Sequence, residues 1–329
     1  MDLQITFAEL ANWAVMKSCD AVFLQRPMTD SHVAILHLAK VNRKPVIVDY
    51  DDDLYAVPMS NPTFRIYNKP KAQNNVTTLI AKADIVTVST QAIARKFEKI
   101  LAGLAKAETR DPDWDLRPGK IHVLPNAYDT ELLTKLEPGA PRKTPPRKVI
   151  CWRGSGTHDA DMWSVAEPFC KAFGKHLDWT VNLIGQPFWM FVDRMDKIPG
   201  IKPTSNVIVE SLDPINYFEF LAQLQPALMI VPLEDIPFNH AKSNIAYLEG
   251  IHAGAVTLAP DWEEWRRPGV INYKDPEDFG AKLDAFMAGK FDAAKLWQDG
   301  RDFVAEHLTL GRVNRVRELL LKDVMERGQ

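Results

Sequence analysis

The chain has 329 residues, 46% of them apolar and 25% charged, ordinary figures for a globular protein that exclude a disordered or fibrous one. Its length exceeds the ~250–300 residues at which a single hydrophobic core stops growing, so two lobes with a cleft between them are predicted. With 40 lysines and arginines against 43 acidic residues, a net charge of −3 and a pI near 6.3, the chain does not coat nucleic acid through bulk positive charge, and any such contact must be local.

The opening segment, Met1 to Trp13, carries Asp2 and Glu9 and no basic start followed by an apolar stretch, so no secretory signal is read there. No apolar run reaches the ~18 residues of a spanning helix, and the cytoplasm is the expected compartment. Cys19, Cys151 and Cys170 fit that reading as reduced, buried thiols, since they are odd in number and lack metal-like spacing. Short apolar runs then alternate with helix-length amphipathic segments, the pattern of parallel α/β sheets covered on both faces. In the first half the predicted strands are Ala21–Leu24, Val46–Val48, Ile85–Val88 and Ile121–Leu124. They define a first domain over residues 1–140. It starts at Asp2 without an opening strand and glycine turn, so a trimmed domain or a missing upstream segment is expected.

Ligands of open parallel sheets bind beyond the carboxyl ends of the strands, which directs attention to the residues after each run. After Val46–Val48 come Asp49, Asp51, Asp52 and Asp53, a dense carboxylate cluster. An Asp-x-Asp metal site through Asp51 and Asp53 and a solvated turn with helix-capping aspartates are both open readings of it.

Between Glu137 and Lys148, four prolines and a glycine forbid a regular helix and favour an extended connection. The linker is placed at residues 141–148. A second series follows: Val149–Cys151, Thr180–Ile184, Val207–Val209, Leu228–Val231, Ala255–Leu258 and Val270–Asn272, giving a second domain over residues 149–307. The last segment, residues 308–329, reads as an amphipathic helix with Leu310, Val313, Val316, Leu319 and Leu320 on one side, returning to cover part of the first domain.

Two strand ends in the second half carry chemistry. Val149–Cys151 runs into Arg153, Gly154, Ser155 and His158, where glycines let backbone amides approach an anion. His158 with Asp159 and Asp161 reads as a capped helix start, an acid–base pair or a set of metal ligands. Leu228–Val231 is followed by a loop and a helix with Ser243 or Asn244 as N-cap, Lys242 as a point charge for a diphosphate, and Glu249 about two ~3.6-residue turns along on nearly the same face as Lys242. A carboxylate there suits the two hydroxyls of a ribose. No nucleophile elbow and no P-loop pattern is present.

The segment from Phe238 to Ala259 resembles the donor-site signature of family 4-like retaining glycosyltransferases. That signature commonly has two glutamates; Glu249 matches the second, while Ala241, followed by Lys242 and Ser243, stands at the first. Ala83–Thr90 resembles the family's strand ending in serine, Val123–Asp129 its Pro-Asn-Gly turn with Ala127 in place of glycine, and Gly185 with Gln186 the turn near the donor base. The resemblance covers almost the whole chain and implies the GT-B architecture, an α/β fold of two Rossmann-like parallel-sheet domains facing a cleft.

It further implies a nucleoside-diphosphate sugar as co-substrate, UDP-linked by preference, with no other cofactor and no metal. Gly154, Ser155, Gly185, Gln186, Lys242, Ser243, Asn244 and Glu249 are the expected donor ligands. Arg153 and Lys242, with Asp51 and Asp52, are the expected catalytic residues, and Asp51, Asp52, Asp53 and His158 the acceptor side. A hexosyl or pentosyl transfer with retention would follow, the leaving diphosphate helping to take the acceptor's proton.

The Asp-Asp-Asp-Leu run and the Lys-Ser pattern resemble bacteriophage glycosyltransferases, some of which decorate hydroxymethylated bases in DNA. Local basic runs at Arg95–Arg110, Arg142–Lys148 and Arg266–Arg267, with Trp114, Trp262 and Trp265 nearby in sequence, are candidates for DNA contact or solvated faces. A non-catalytic nucleotide-sugar binder and a GT-B nucleotide-sugar epimerase remain the alternatives.

Overall fold

The structure, a computed structural model, describes residues 13–107, 111, 114–131, 146–185, 197 and 213–327. Its contacts divide the chain into two compact units. The first comprises Met1–Pro125, Ala241–Ser243 and Val313–Gln329; the second comprises Asn126–His240 and Asn244–Arg312.

In the first unit four parallel strands lie in the order β1 (Val22–Gln25), β2 (Val46–Tyr50), β3 (Ile85–Val88), β4 (Ile121–Val123). All four residues of β3 are buried, as expected of a parallel strand covered on both faces. The crossover helices Asp30–Val41, Pro70–Lys82 and Gln91–Ala105 supply one cover. Two of them start where the sequence offers a cap: Thr29 forms a capping box with His32, and Thr90 accepts from the Ile93 N–H at 3.4 Å. Beneath them Leu36, Val48, Leu79, Ile80, Val86 and Phe97 are fully buried, each large side chain contributing about 1.5–3 kcal/mol. Tyr50 joins this core edge-on to Phe97, its ring centroid 5.3 Å away, and satisfies its hydroxyl on the Pro27 carbonyl at 2.8 Å.

The opposite face is met by the C-terminal helix Leu310–Arg327. Val324, with Leu320 and Leu321, packs on Ile47 of β2 and Ile85 of β3. The stripe differs in detail from the one predicted: Val313 and Val324 are buried, whereas Leu319 is 66% and Val316 41% exposed. A buried stripe through Val313, Leu320 and Val324 keeps the seven- and four-residue spacing of one helix face, which Leu319 breaks.

Among the described residues of the second unit, five parallel strands lie in the order β6 (Thr180–Gly185), β5 (Arg147–Gly154), β7 (Pro226–Ile230), β8 (Val256–Pro260), β9 (Val270–Tyr273). The chain steps from β5 to one neighbour, β6, then returns across β5 to β7 on its other side. The order therefore reverses between β5 and β7, a topological switch point whose carboxyl end is the natural ligand crevice of an open α/β sheet. Its core centres on Ile150, Phe169, Leu228, Tyr247, Phe279 and Leu283.

Nine of the ten predicted strands are present within a few residues of their expected bounds; the tenth, Val207–Val209, lies outside the described residues. Arg147 and Lys148, read from the sequence as linker, are the first residues of β5. Residues 141–145 lie outside the described set. Asn126–Glu131 belongs with the second unit, where Tyr128 bridges Thr309: the Tyr128 N–H donates to the Leu308 carbonyl at 2.7 Å, and the Leu310 N–H to the Tyr128 carbonyl at 2.8 Å. No helix among the described residues is long and apolar enough to cross a membrane.

The Tyr128 hydroxyl also bonds His252 Nδ1 at 2.7 Å, while His252 Nε2 donates to the Phe218 carbonyl at 3.0 Å. Burial holds the His252 imidazole below its usual range, the Phe218 carbonyl opposing. The unfolded chain then binds a proton near pH ~6.5 that the folded chain resists. Stability is fully present above that pH and declines as pH falls towards the folded value. We expect the thermal midpoint to drop between pH 7 and pH 5 and the drop to shrink in His252→Gln, whose amide can both accept and donate; equal pH dependence in the two proteins would show that His252 is not responsible.

Candidate functional site

The crevice of the second unit is built from the ends of β5, β6 and β7. Gly154 and Gly185 end β5 and β6 in register. Gly185 has φ +110°, and a Cβ there would lie 1.8 Å from the Gly154 carbonyl oxygen, so only glycine fits. Ser155 follows, its hydroxyl accepting from the Thr157 N–H at 3.4 Å to cap the short turn Gly156–His158. Gln186 lies outside the described residues.

Glu249 sits on the helix Ile245–Ala253, which connects β7 to β8, and its side chain is 8% exposed. A carboxylate at such depth needs a cation. Arg153 Nε, from the end of β5, donates to Glu249 Oε2, and the Tyr217 hydroxyl from the helix Pro214–Leu224 adds a further bond. Burial pushes the Glu249 carboxyl above its usual range, and the Arg153 guanidinium and Tyr217 pull it part of the way back. Burial likewise raises the neighbouring Cys151 thiol, Glu249 adding to the effect, which agrees with an inert buried thiol. Asn244, fully buried at the helix start, keeps its Oδ1 without a hydrogen-bond partner and makes a 3.5 Å contact from Nδ2 to the Asn126 carbonyl.

The expected helical face shared by Lys242 and Glu249 is corrected by the structure: the helix begins at Ile245, and Ala241–Ser243 is a non-helical segment belonging to the first unit. The cause is visible at Ala241, buried within the first unit's core, its carbonyl accepting from Thr90 Oγ1 at 3.2 Å. The helix start also differs from expectation, since Asn244 occupies the N-cap position but makes no side-chain cap bond.

In the first unit the carboxylate cluster after β2 is matched cation by cation. Arg26 Nε and Nη2 grip Asp51 in a fork at 2.8 and 2.5 Å, and Nη2 also reaches Asp52 Oδ2 at 3.1 Å. Lys242 Nζ donates to the other oxygen of Asp52 at 3.1 Å. Lys96 Nζ holds the buried Asp53 at 2.7 Å. Ser89 Oγ donates to the Asp51 carbonyl at 2.9 Å, and Thr87 Oγ1 to Asp49. Asp53, which also accepts from the Tyr55 N–H, is thereby a structural carboxylate, while Asp51 and Asp52 remain partly exposed.

His158 lies in the second unit, as its place after β5 requires, beside Gly154 and bonded to Asp161. The tryptophans considered for base stacking are otherwise engaged. Trp265 is buried, Trp114 packs on the first unit's core, and Trp262 stacks on His240 with ring centroids 4.0 Å apart. Arg266 and Arg267 pair with Asp261 and Glu264.

No protein-family model and no curated protein matches the chain. Solved structures do. HepE from Anabaena, in complex with UDP and glucose, shares 11% identity with a TM-score of 0.58, covering 94% of this chain and 80% of that one. A UDP-forming α,α-trehalose-phosphate synthase from Burkholderia xenovorans shares 13% with a TM-score of 0.66, covering 96% and 78%. A glycosyltransferase from Rickettsia africae shares 14% with a TM-score of 0.56, covering 97% and 80%. The fold is that of the GT-B glycosyltransferases.

Within this GT-B fold, the residues that sequence reasoning missed are orienters. Arg26 follows β1, a strand end left uninspected, and its left-handed backbone, φ 47°, sets it apart from an ordinary surface arginine. Tyr217 left no sequence signal, because it meets Glu249 only through the packing of two helices.

Two outcomes follow from this geometry. Arg153→Met, which strands a buried carboxylate, should cost about 3 kcal/mol in urea unfolding at neutral pH, and adding Glu249→Leu should recover much of it; a single variant as stable as wild type would show the pair to be slack. Gly185→Ala should lower stability by at least ~2 kcal/mol, whereas Gly103→Ala, with open space around it in a helix, should be neutral or gain up to ~1 kcal/mol.

Proposed function

We propose that the protein is a glycosyltransferase that moves a sugar from a nucleoside-diphosphate sugar, preferentially UDP-linked, to an acceptor hydroxyl. The observation that carries this reading is the buried Glu249, oriented by Arg153 and Tyr217, on the donor-signature helix of a GT-B fold. Two of its structural neighbours were solved with UDP or are UDP-forming.

In this reading the donor is held at the switch point of the second unit. The Gly154–Ser155 turn and Gly185 offer close backbone approach to the diphosphate, and the free lone pairs of Glu249 accept from the ribose hydroxyls. Arg153, committed to Glu249, acts mainly by fixing that carboxylate. Asn244 contributes its unpaired amide oxygen, and Lys242 and Ser243 lead into it along the chain.

The anomeric C–O bond breaks with its electron pair going to the β-phosphate oxygen, the acceptor oxygen forms the new bond, and the acceptor's proton passes to that phosphate. No protein nucleophile is required, and the product retains its anomeric configuration. Asp51 and Asp52 of the first unit are the proposed acceptor-side groups. The phage resemblance makes hydroxymethylated DNA one acceptor to test.

Incubating the protein with a panel of sugar nucleotides and acceptors, hydroxymethylcytosine DNA among them, and weighing the products should reveal a transferred sugar. Glu249→Gln and Lys242→Ala are each expected to lower transfer at least ~100-fold with circular dichroism unchanged. Wild-type turnover in both would refute the site; a new sugar nucleotide formed without acceptor would identify an epimerase, and binding without turnover a sugar-nucleotide receptor.

A further inference from the structure

We propose that His158 is a ligand for the donor's diphosphate, with Asp161 as the residue that positions and charges it. The inference rests on the donor-site reading above and adds to it a group that binds the leaving diphosphate through a protonatable side chain.

Three groups from two chain segments converge on one carboxylate at the switch point. His158 Nδ1, just past β5, bonds Asp161 Oδ2 at 2.8 Å. The other oxygen, Asp161 Oδ1, accepts the Glu234 N–H at 2.9 Å and Asn239 Nδ2 at 2.6 Å, both from the stretch that follows β7. Asn239 is buried and spends its second amide hydrogen on the Glu234 carbonyl at 3.0 Å. Asp161, 4% exposed, is therefore fixed by the β7 side of the crevice and in turn fixes a ring on the β5 side. A helix cap would need none of these long-range partners.

The geometry also settles which nitrogen works. An ionised carboxylate only accepts, so Nδ1 carries its hydrogen towards Asp161 and Nε2 is the outward atom. The ring stands edge-on to Trp152, centroids 6.5 Å apart, against Gly154, where a Cβ would come within 3.2 Å of Cδ2. That places the imidazole beside the turn proposed to take the diphosphate. The carboxylates near the ring are Asp161 and Asp159 of the helix Asp159–Ser164; Glu234 reaches the pair through its backbone.

A diphosphate arriving at Nε2 favours the imidazolium, and the buried Asp161 stabilises that form from behind. The proton comes from solvent, so binding takes up hydrogen ion. As the anomeric bond breaks, the Nε2–H bond strengthens to the oxygen that receives the electron pair, while the acceptor's proton follows the route already given.

Calorimetric titration of the full chain with UDP, GDP and ADP at pH 8, in buffers of different ionisation enthalpy, measures affinity and proton uptake together. Wild type should bind one of them with net uptake. His158→Gln should bind it roughly ten- to a hundredfold more weakly and without uptake. Asp161→Asn can keep its oxygen for Glu234 and Asn239 while presenting N–H to Nδ1, which turns the tautomer over; it should bind more weakly with uptake reduced. Should His158→Gln fail to fold, Asp161→Asn carries the test alone. Wild-type affinity and uptake in either folded variant overturn the inference and leave the donor site standing; a wild type that binds none of the three nucleotides overturns both.

Discussion

Taking a carboxylate out of water is costly, and the second unit is organised around one such group. Glu249 is buried on a helix between β7 and β8, and the guanidinium that compensates it comes from the end of β5. The pair therefore fixes the helix to a particular strand end, and the glycine turn that follows inherits that position. Such a pair adds little net stability over an apolar equivalent, because desolvation consumes most of the attraction. Its value lies in specificity of placement, since it ties one helix to one strand end. Tyr217 reinforces this by committing a lone pair of Glu249 from a second helix, leaving fewer orientations open to the carboxylate.

The first unit solves the same problem differently. Asp51, Asp52 and Asp53 crowd a strand end, and Arg26, Lys242 and Lys96 neutralise them one for one. The fork of Arg26 on Asp51 fixes a plane as well as a charge, which a lysine at that position would not do. Ser89 and Thr90, at the end of the neighbouring strand, have complementary tasks: Ser89 holds the Asp51 backbone and Thr90 the carbonyl of Ala241. The serine-ended strand of the family pattern is thus a support for the carboxylates, and no strand-end residue in this group is idle.

Periodicity and turn chemistry made the strands readable because buried parallel strands are short apolar runs, and the helix that carries Glu249 was readable from the strand and loop before it. Lys242 was misread for a physical reason. Spacing to Glu249 suggested one helical face, but a buried alanine and a hydrogen-bonded carbonyl draw the segment before Asn244 out of the helix, and such tertiary override leaves no trace in local pattern. The C-terminal helix shows the same limit on a smaller scale, since the apolar stripe marks helix existence while the face that docks depends on what Ile47 and Ile85 present. Orienting residues such as Arg26 and Tyr217 escape because their partners are distant in sequence and their types are common on surfaces. Asn126–Glu131 lies with the second unit through the bridge of Tyr128 to Thr309 and the Tyr128 hydroxyl's bond to His252, contacts that no composition shift announces.

Ala241, which stands where the resembled signature has its first glutamate, fits the packing around it. Ala241 is buried among apolar side chains, so a carboxylate there would be desolvated without a partner, and its replacement removes one negative charge from the chain beside Lys242. Cations in each unit keep their own carboxylates: Arg153 is matched by Glu249 in the second unit and Lys242 by Asp52 in the first. A cation held by its own carboxylate attracts anions weakly at long range, because the two opposite charges largely cancel. How rigidly each carboxylate holds its cation sets which N–H vectors stay fixed, which makes the buried acids, rather than the bases they orient, the points from which each unit's strand ends are placed.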